Sequence, residues 1–260
     1  MNWEKMTAND FEKAVKDTGV CIIAMGVLER HGNHLPLGTD FLNGHKLATA
    51  AADKEASVVF PPFYFGQIYE ARCFPGTLTL EPKLLFAFVQ NVLDEIGRNG
   101  FKKIIILNAH GGNDAFIKFL AQCQLGEEKP YQLYYYTPYS PERSALYKEV
   151  CETDLHGHAC ECETSISLHN HQELIKMETI DKEAFHPQRK LAHIPNLFTG
   201  LSWYSNYPNH YVGDASFATK EKGKKLFDFE VAAFAKFIRN VKGDKVLEQL
   251  SKEFHGKVNF

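Results

Sequence analysis

The sequence predicts an α/β fold whose mostly parallel sheet is covered by helices on both faces. Short continuous apolar runs, at residues 20–25 and 104–107, alternate with longer stretches of helical periodicity, and each run leads into a turn rich in Gly, His and Asn. Apolar runs of that length fit strands buried on both sides, and the helices between them fit the crossovers that a parallel sheet requires.

Residues 7–17 place Phe11, Ala14 and Val15 among polar positions, which predicts a short helix capped by Thr7 or Asn9. Residues 20–25 then form the first buried strand and deliver Gly26 and a polar segment at its carboxyl end. Ala, Leu and Lys in 44–56 predict a helix, and 57–60 a second strand stopped by Pro61 and Pro62. Residues 81–98 predict another helix, with Pro82 suited to its first turn and Gly100 closing it. The clearest buried strand is 103–107, followed by the turn 108–113, a helix over 114–125 and a strand candidate at 131–136. The run 186–209, with its Pro and aromatic residues, is the least regular and reads as a loop that covers or completes a pocket. No internal repeat, low-complexity tract or linker is evident, so a single domain over 1–260 is expected.

A chain of 260 residues with 44% hydrophobic content can bury one sizeable core. Its net charge of −3 and scattered Lys and Arg provide no basic stripe for a nucleic-acid backbone. Six cysteines, at 21, 73, 123, 151, 160 and 162, are spread over apolar segments without a secretion signal, which predicts reduced thiols. No stretch approaches membrane-span length. The expectation is a soluble cytoplasmic protein with a small-molecule substrate and neither nucleic-acid nor membrane partners.

The segment Glu29-Arg-His-Gly-Asn-His-Leu-Pro-Leu-Gly-Thr-Asp40 packs four potential metal ligands, Glu29, His31, His34 and Asp40, after the first strand. Mixed carboxylate and imidazole donors suit Zn²⁺, Mn²⁺ or Fe²⁺. His110 follows the 103–107 strand and precedes Gly111 and Gly112, where the backbone can come close to a ligand; the pattern of a phosphate loop is missing. Ligands of open parallel sheets gather beyond the carboxyl ends of the strands, so both places are expected to share one site.

A third cluster, His156-Gly-His158-Ala-Cys-Glu161-Cys-Glu163-Thr-Ser165, admits three readings. It could ligate a metal, form a Cys160 and Cys162 zinc pair that lacks a second cysteine pair, or begin an exposed helix with Glu161 and Glu163. Glu residues two apart on a helix diverge, so at most one should face a site. His169 and His171 read as structural or solvated, and His45, His186, His193, His210 and His255 as surface or core hydrogen-bonding groups.

The clusters suggest a binuclear centre, with Glu29 and His110 on one ion, His31 and a later carboxylate on the other, and Asp40 bridging. Two such ions acting through a metal-activated water predict hydrolysis of an amide or C–C bond. A Ser or Cys nucleophile is the competing chemistry, but no Gly-x-Ser-x-Gly elbow is present and no cysteine has an evident paired base.

The 29–40 block resembles the signature of the creatininase (creatinine amidohydrolase) family. Phe74-Pro-Gly-Thr77, residues 108–113 and 158–165, and Gly213-Asp214 with Ala218-Thr219 and Lys222-Gly223 resemble further family blocks in the expected order. The resemblance implies a three-layer α/β/α sandwich, usually assembled as a homohexamer. It also implies metal ligation by Glu29, His31, Asp40 and His110, with Asp40 bridging divalent ions (Zn, Mn or Fe), about two per chain. Creatinine-hydrolysing members carry an aromatic residue and a Glu after the metal-binding His, where this chain has Gly111 and Gly112. Glu163 is then the implied remaining ligand, with Glu161 as the alternative, and His158 the implied proton shuttle or oxyanion partner. His158 and Glu163 are thus the catalytic candidates. Many members also carry Glu-His before the Phe, where this chain has Glu70-Ala71-Arg72. Both departures point away from creatinine itself. The expected function is metal-dependent hydrolysis of a cyclic amide or related small carbonyl compound. The alternatives are opening of an inositol- or sugar-derived cyclic ketone at a C–C bond and, from a different class, noncatalytic metal or ligand binding on the same fold.

Overall fold

The computed structural model describes residues 1–181 and 186–258. Strand β1 (Val20–Met25) is buried along its whole length and lies inside a four-stranded parallel sheet. Its neighbours are β2 (Val58–Val59) and β3 (Lys103–Asn108), with β4 (Gln132–Tyr136) beyond β3, giving the order β2-β1-β3-β4. Val20 stands opposite Lys103 and Met25 opposite Asn108, so β1 and β3 end level with each other. That register brings the segments after Met25 and after Asn108 side by side at one sheet edge.

Alternation along β1 divides the core in two, as a strand period of two requires. Cys21, Ile23 and Met25 pack with Ala14 of α1 (Ala8–Thr18), Val89 and Leu93 of α3 (Pro82–Arg98) and Ile117 of α4 (Asp114–Cys123). Val20, Ile22 and Ala24 pack with Leu47 and Ala51 of α2 (Thr39–Lys54), Ile166 of α6 (Glu161–His171) and Phe234 of α8 (Lys220–Gly243). Helices therefore cover both faces in a three-layer α/β/α arrangement. Outside the main sheet, β5 (His156–His158) and β6 (Val212–Gly213) form a short antiparallel pair, preceded by α5 (Pro141–Val150). A short α7 (Ser202–Asn206) interrupts the irregular 186–209 run, and α9 (Val246–Val258) lies near the carboxyl end. No helix among the described residues is long and apolar enough to cross a membrane.

Local chemistry accounts for most boundaries. Thr7, rather than Asn9, caps α1 by accepting from Asp10 N, and Gly19 ends that helix in the left-handed region at φ 63°. Glu81 caps α3 with Pro82 in its first turn. The main departure is α2, which begins at Thr39 instead of residue 44 and so takes Asp40 into its first turn. Apart from Leu42, its opening residues, Thr-Asp-Phe-Leu-Asn-Gly, are poor helix formers, and packing overrides them. A Cβ at Gly44 would lie 2.5 Å from the Ala109 Cβ, so the glycine is what lets α2 lie against the turn after β3. Gly223 works similarly, since a Cβ there would meet Ser165 O at 1.8 Å where α8 crosses α6.

Candidate metal centre

The centre is assembled from the turns after β1 and β3 and from the first turns of α2 and α6. Glu29 N donates to Leu37 O at 3.0 Å, closing the loop that follows β1. Within it, His31 Nδ1 lies 3.2 Å from Glu29 O, which directs Nε2 inward. Across the level strand ends, Ala109 N donates to Met25 O at 3.1 Å and Asn113 Nδ2 to the same oxygen at 3.2 Å. These bonds hold His110 beside the 29–31 segment.

Asp40 turns one oxygen to each imidazole: Oδ1 is 3.1 Å from His31 Nε2 and Oδ2 is 3.1 Å from His110 Nδ1. Glu29 Oε1 is 2.8 Å from His110 Nδ1 and 3.9 Å from His31 Nε2. Glu163 Oε1 is 3.7 Å from His31 Nε2, while its other oxygen accepts from Ala159 N at 2.6 Å. Glu29 and His31 are 0% exposed and Asp40 5%, so these charges are out of water. His110 Nδ1 has one proton at most to offer two carboxylates. At least one of Glu29 Oε1 and Asp40 Oδ2, both buried, is therefore left without a hydrogen bond.

Buried carboxylate oxygens without partners cost several kcal/mol unless a cation meets them. Burial alone would lower the His31 pKa, but Asp40, Glu163 and Glu29 push it up to about 10. Burial likewise opposes a charge on His110, which Glu29 and Asp40 nevertheless hold well above its ordinary value. The field that favours a proton on both imidazoles equally favours a divalent cation, and the mixed oxygen and nitrogen donors fit a Zn- or Mn-type ion.

His158 Nε2 lies 2.7 Å from the Arg30 carbonyl, which can only accept, so Nε2 carries the proton and Nδ1 is the basic nitrogen. Burial pushes its pKa down to about 3 despite the attraction of Glu29. The ring stands 4.3 Å from that of His31, centroid to centroid. A cavity of about 140 Å³ opens beside Asp40 and Glu163, with Tyr139, Arg143 and Glu230 also on its wall.

The structure brings together Glu29, His31, Asp40, His110, His158 and Glu163, and it corrects other expectations. His34 is not in the centre: a turn at Gly32, φ 60°, separates it from His31, and its Nε2 is bonded to Thr164 Oγ1 at 2.9 Å. The reading of 161–163 as an exposed helix start fails because Glu161 is fully buried. Its carboxylate is taken up by Glu152 N, Thr153 N and Lys222 Nζ, leaving nothing for the centre. The expectation that no cysteine has a paired base also fails, since Cys162 Sγ lies 3.2 Å from His156 Nδ1.

His210, expected as an ordinary hydrogen-bonding histidine, is 1% exposed and bonded through Nε2 to Glu29 Oε2. Trp203 Nε1, which can only donate, reaches His210 Nδ1 at 2.8 Å, so Nε2 bears the proton given to Glu29. His210 holds a left-handed backbone at φ 52°, a conformation uncommon outside glycine. Its position three residues before Gly213 was the sole sequence cue. Glu70 was also underrated: its Oε1 lies 3.8 Å from His110 Nε2, in space that a Cβ at Gly112 would take, 2.5 Å from both atoms.

The family model described as creatinine amidohydrolase matches residues 4–238. The chain is 26% identical over 258 residues to the 3-dehydro-scyllo-inosose hydrolase of Thermotoga maritima, covering 92% of this chain and 83% of the relative. It is 28% identical over 120 residues to the creatinine amidohydrolase of Pseudomonas putida, 44% of this chain and 46% of that one. A solved mutant creatininase of Zn–Zn type shares the fold at TM-score 0.77 and 21% identity, covering 94% of this chain and 98% of that structure.

Proposed function

Because the chain belongs to the creatininase (creatinine amidohydrolase) family, we propose that it is a metal-dependent hydrolase of a small carbonyl compound, with a cyclic amide as the first substrate class. The observation that carries this reading is the Asp40 carboxylate, divided between His31 and His110 with at least one buried carboxylate oxygen left without a hydrogen bond. Glu29 and His110 would hold one ion, His31 and Glu163 the other, and Asp40 would serve both. Bound divalent ions supply Lewis acidity, polarising a carbonyl and lowering the pKa of water.

The chain's own residues do the remainder. His158 is the candidate proton shuttle or oxyanion partner, its orientation set by the Nε2 bond to Arg30 O. Arg143 and Tyr139 on the cavity wall bind and orient the substrate, with Arg143 fixed by Glu230 at 2.7 Å. We further propose a single-domain cytoplasmic protein over 1–260, assembled as a homo-oligomer that is hexameric by family resemblance.

A second reading, hydrolytic opening of an inositol- or sugar-derived cyclic ketone at a C–C bond, is favoured by the inosose-hydrolysing relative that spans 92% of this chain. The test is metal content per chain by elemental mass spectrometry for wild type and Asp40→Ala, followed by turnover assays on cyclic amides and cyclic keto-sugars. About two ions in wild type, lost with turnover in the variant, support a binuclear hydrolase. Absence of bound ions and of turnover after reconstitution would favour a noncatalytic protein on this fold.

A further inference from the structure

A second cluster of metal-binding side chains stands beside the β5–α6 turn, built from residues the centre leaves unused. Cys151 Sγ lies 3.0 Å from Cys162 Sγ, which lies 3.2 Å from His156 Nδ1. The ligand atoms of these three residues are all within 4.8 Å of one another. Cys160, two residues before Cys162 at the cap of α6, lies next to this triad in the chain. The donors are dispersed along the chain: Cys151 follows α5, His156 opens β5, and Cys162 is the second residue of α6.

The surroundings hold this cluster in place. Glu161, between the two helical cysteines, accepts from Glu152 N at 3.0 Å, Thr153 N at 2.8 Å and Thr153 Oγ1 at 2.8 Å. Lys222 fixes the same carboxylate at 2.6 Å. Glu161 thus binds the loop after Cys151 to the helix start without being a donor to the cluster.

We propose that Cys151, His156 and Cys162 form a thiolate-rich binding site for Zn²⁺, separate in its ligands from the carboxylate and imidazole centre though His156 and Cys162 line the same cavity, and clamping the segment that presents His158 and Glu163. Two thiolates and one imidazole, completed by a further ligand such as Cys160 or water, are a zinc donor set, and soft sulfur discriminates against Mn²⁺ and Mg²⁺, which the carboxylate-rich centre accepts more readily. Tetrahedral Zn–S bonds of about 2.3 Å separate two sulfurs by about 3.8 Å, so Cys151 and Cys162 would open by about 0.8 Å around the ion. A disulfide would need them to close by about 1 Å and would leave His156 without a role.

The test is a Co²⁺ titration of the intact, reduced protein, because thiolate-to-cobalt charge transfer produces a near-ultraviolet band that carboxylate and imidazole ligands do not. The band should appear, persist in Asp40→Ala, disappear in Cys162→Ser and be displaced by Zn²⁺ but not by Mn²⁺. If Cys162→Ser does not fold, the half-buried Cys151→Ser and the zinc X-ray absorption of wild type serve instead, the latter expected to show a sulfur shell at about 2.3 Å. A folded protein with no charge-transfer band and no sulfur shell would overturn the site. So would a Cys151–Cys162 disulfide in freshly purified protein. The hydrolase reading is tested separately, since Asp40→Ala removes the carboxylate and imidazole centre and leaves the Cys151, His156 and Cys162 donors in place.

Discussion

Glu29 owes its orientation to a residue far along the chain. Trp203 fixes the His210 tautomer, and His210 in turn gives its proton to Glu29 Oε2, leaving Oε1 to face His110. Trp203→Phe keeps the ring and removes the indole N–H, so it should weaken metal binding by about 10- to 100-fold with the fold retained. Competition with a chromophoric chelator reads this directly, and an unchanged affinity would remove His210 from the supporting framework. His158→Ala should keep the metals and lower turnover by about two to four powers of ten, measured under saturating metal. His34 supplies a contrasting test outside the centre. Burial, with His31 nearby, pushes its pKa from 6.5 down to about 4, so the fold disfavours its charged form. Its contribution to stability is therefore present above about pH 6.5 and is lost as the pH falls through about 4. His34→Gln should flatten the decline in urea-unfolding free energy across that window. Glu29, His31 and Asp40 were legible because they crowd one short segment after a strand. His210 was not, because its role comes from a tertiary approach that no local spacing encodes.

At the scale of elements, the centre depends on how closely α2 approaches the turn after β3. Gly44→Ala improves intrinsic helix propensity by about 1 kcal/mol. The added Cβ would nevertheless lie 2.5 Å from the Ala109 Cβ, and overpacking of that kind typically costs about 1–3 kcal/mol. The expected outcome is a less stable protein with weaker metal binding, because Asp40 and His110 sit on the two elements being forced apart. Ala109→Gly in the same chain should restore both, as measured by chemical denaturation and metal titration. Failure of that rescue would show that the contact does not set the approach. The strands 20–25 and 103–107 were readable from continuous apolar runs, and α3 from Pro82 at its start and Gly100 beyond its end. The start of α2 was hidden because tertiary packing, not propensity, makes Thr39 to Gly44 helical.

For the whole molecule, the level ends of β1 and β3 gather ligands from segments that otherwise belong to different layers. Glu29 and His31 follow β1, His110 follows β3, Asp40 opens α2, and Glu163 lies in the first turn of α6. The alternating pattern of strands and helices made this three-layer plan legible, whereas the β5–β6 pair and the placement of α7 depend on long-range contacts that short polar segments do not advertise. A metal bound at such a junction acts on the global equilibrium. Saturation at 100 times the dissociation constant should add about 2.7 kcal/mol. For a domain of this size, that corresponds to a rise of roughly 5–10 °C in unfolding temperature. Chelation should reverse the rise, and Asp40→Ala should show little of it. Because any ligand of the native state stabilises by mass action, the decisive measurement is where the protection falls. Hydrogen exchange should slow together at the carboxyl ends of β1 and β3 and in the first turns of α2 and α6. Protection confined to 29–40 would mean that the ion is held by one loop, and that the junction of layers is not what assembles the centre.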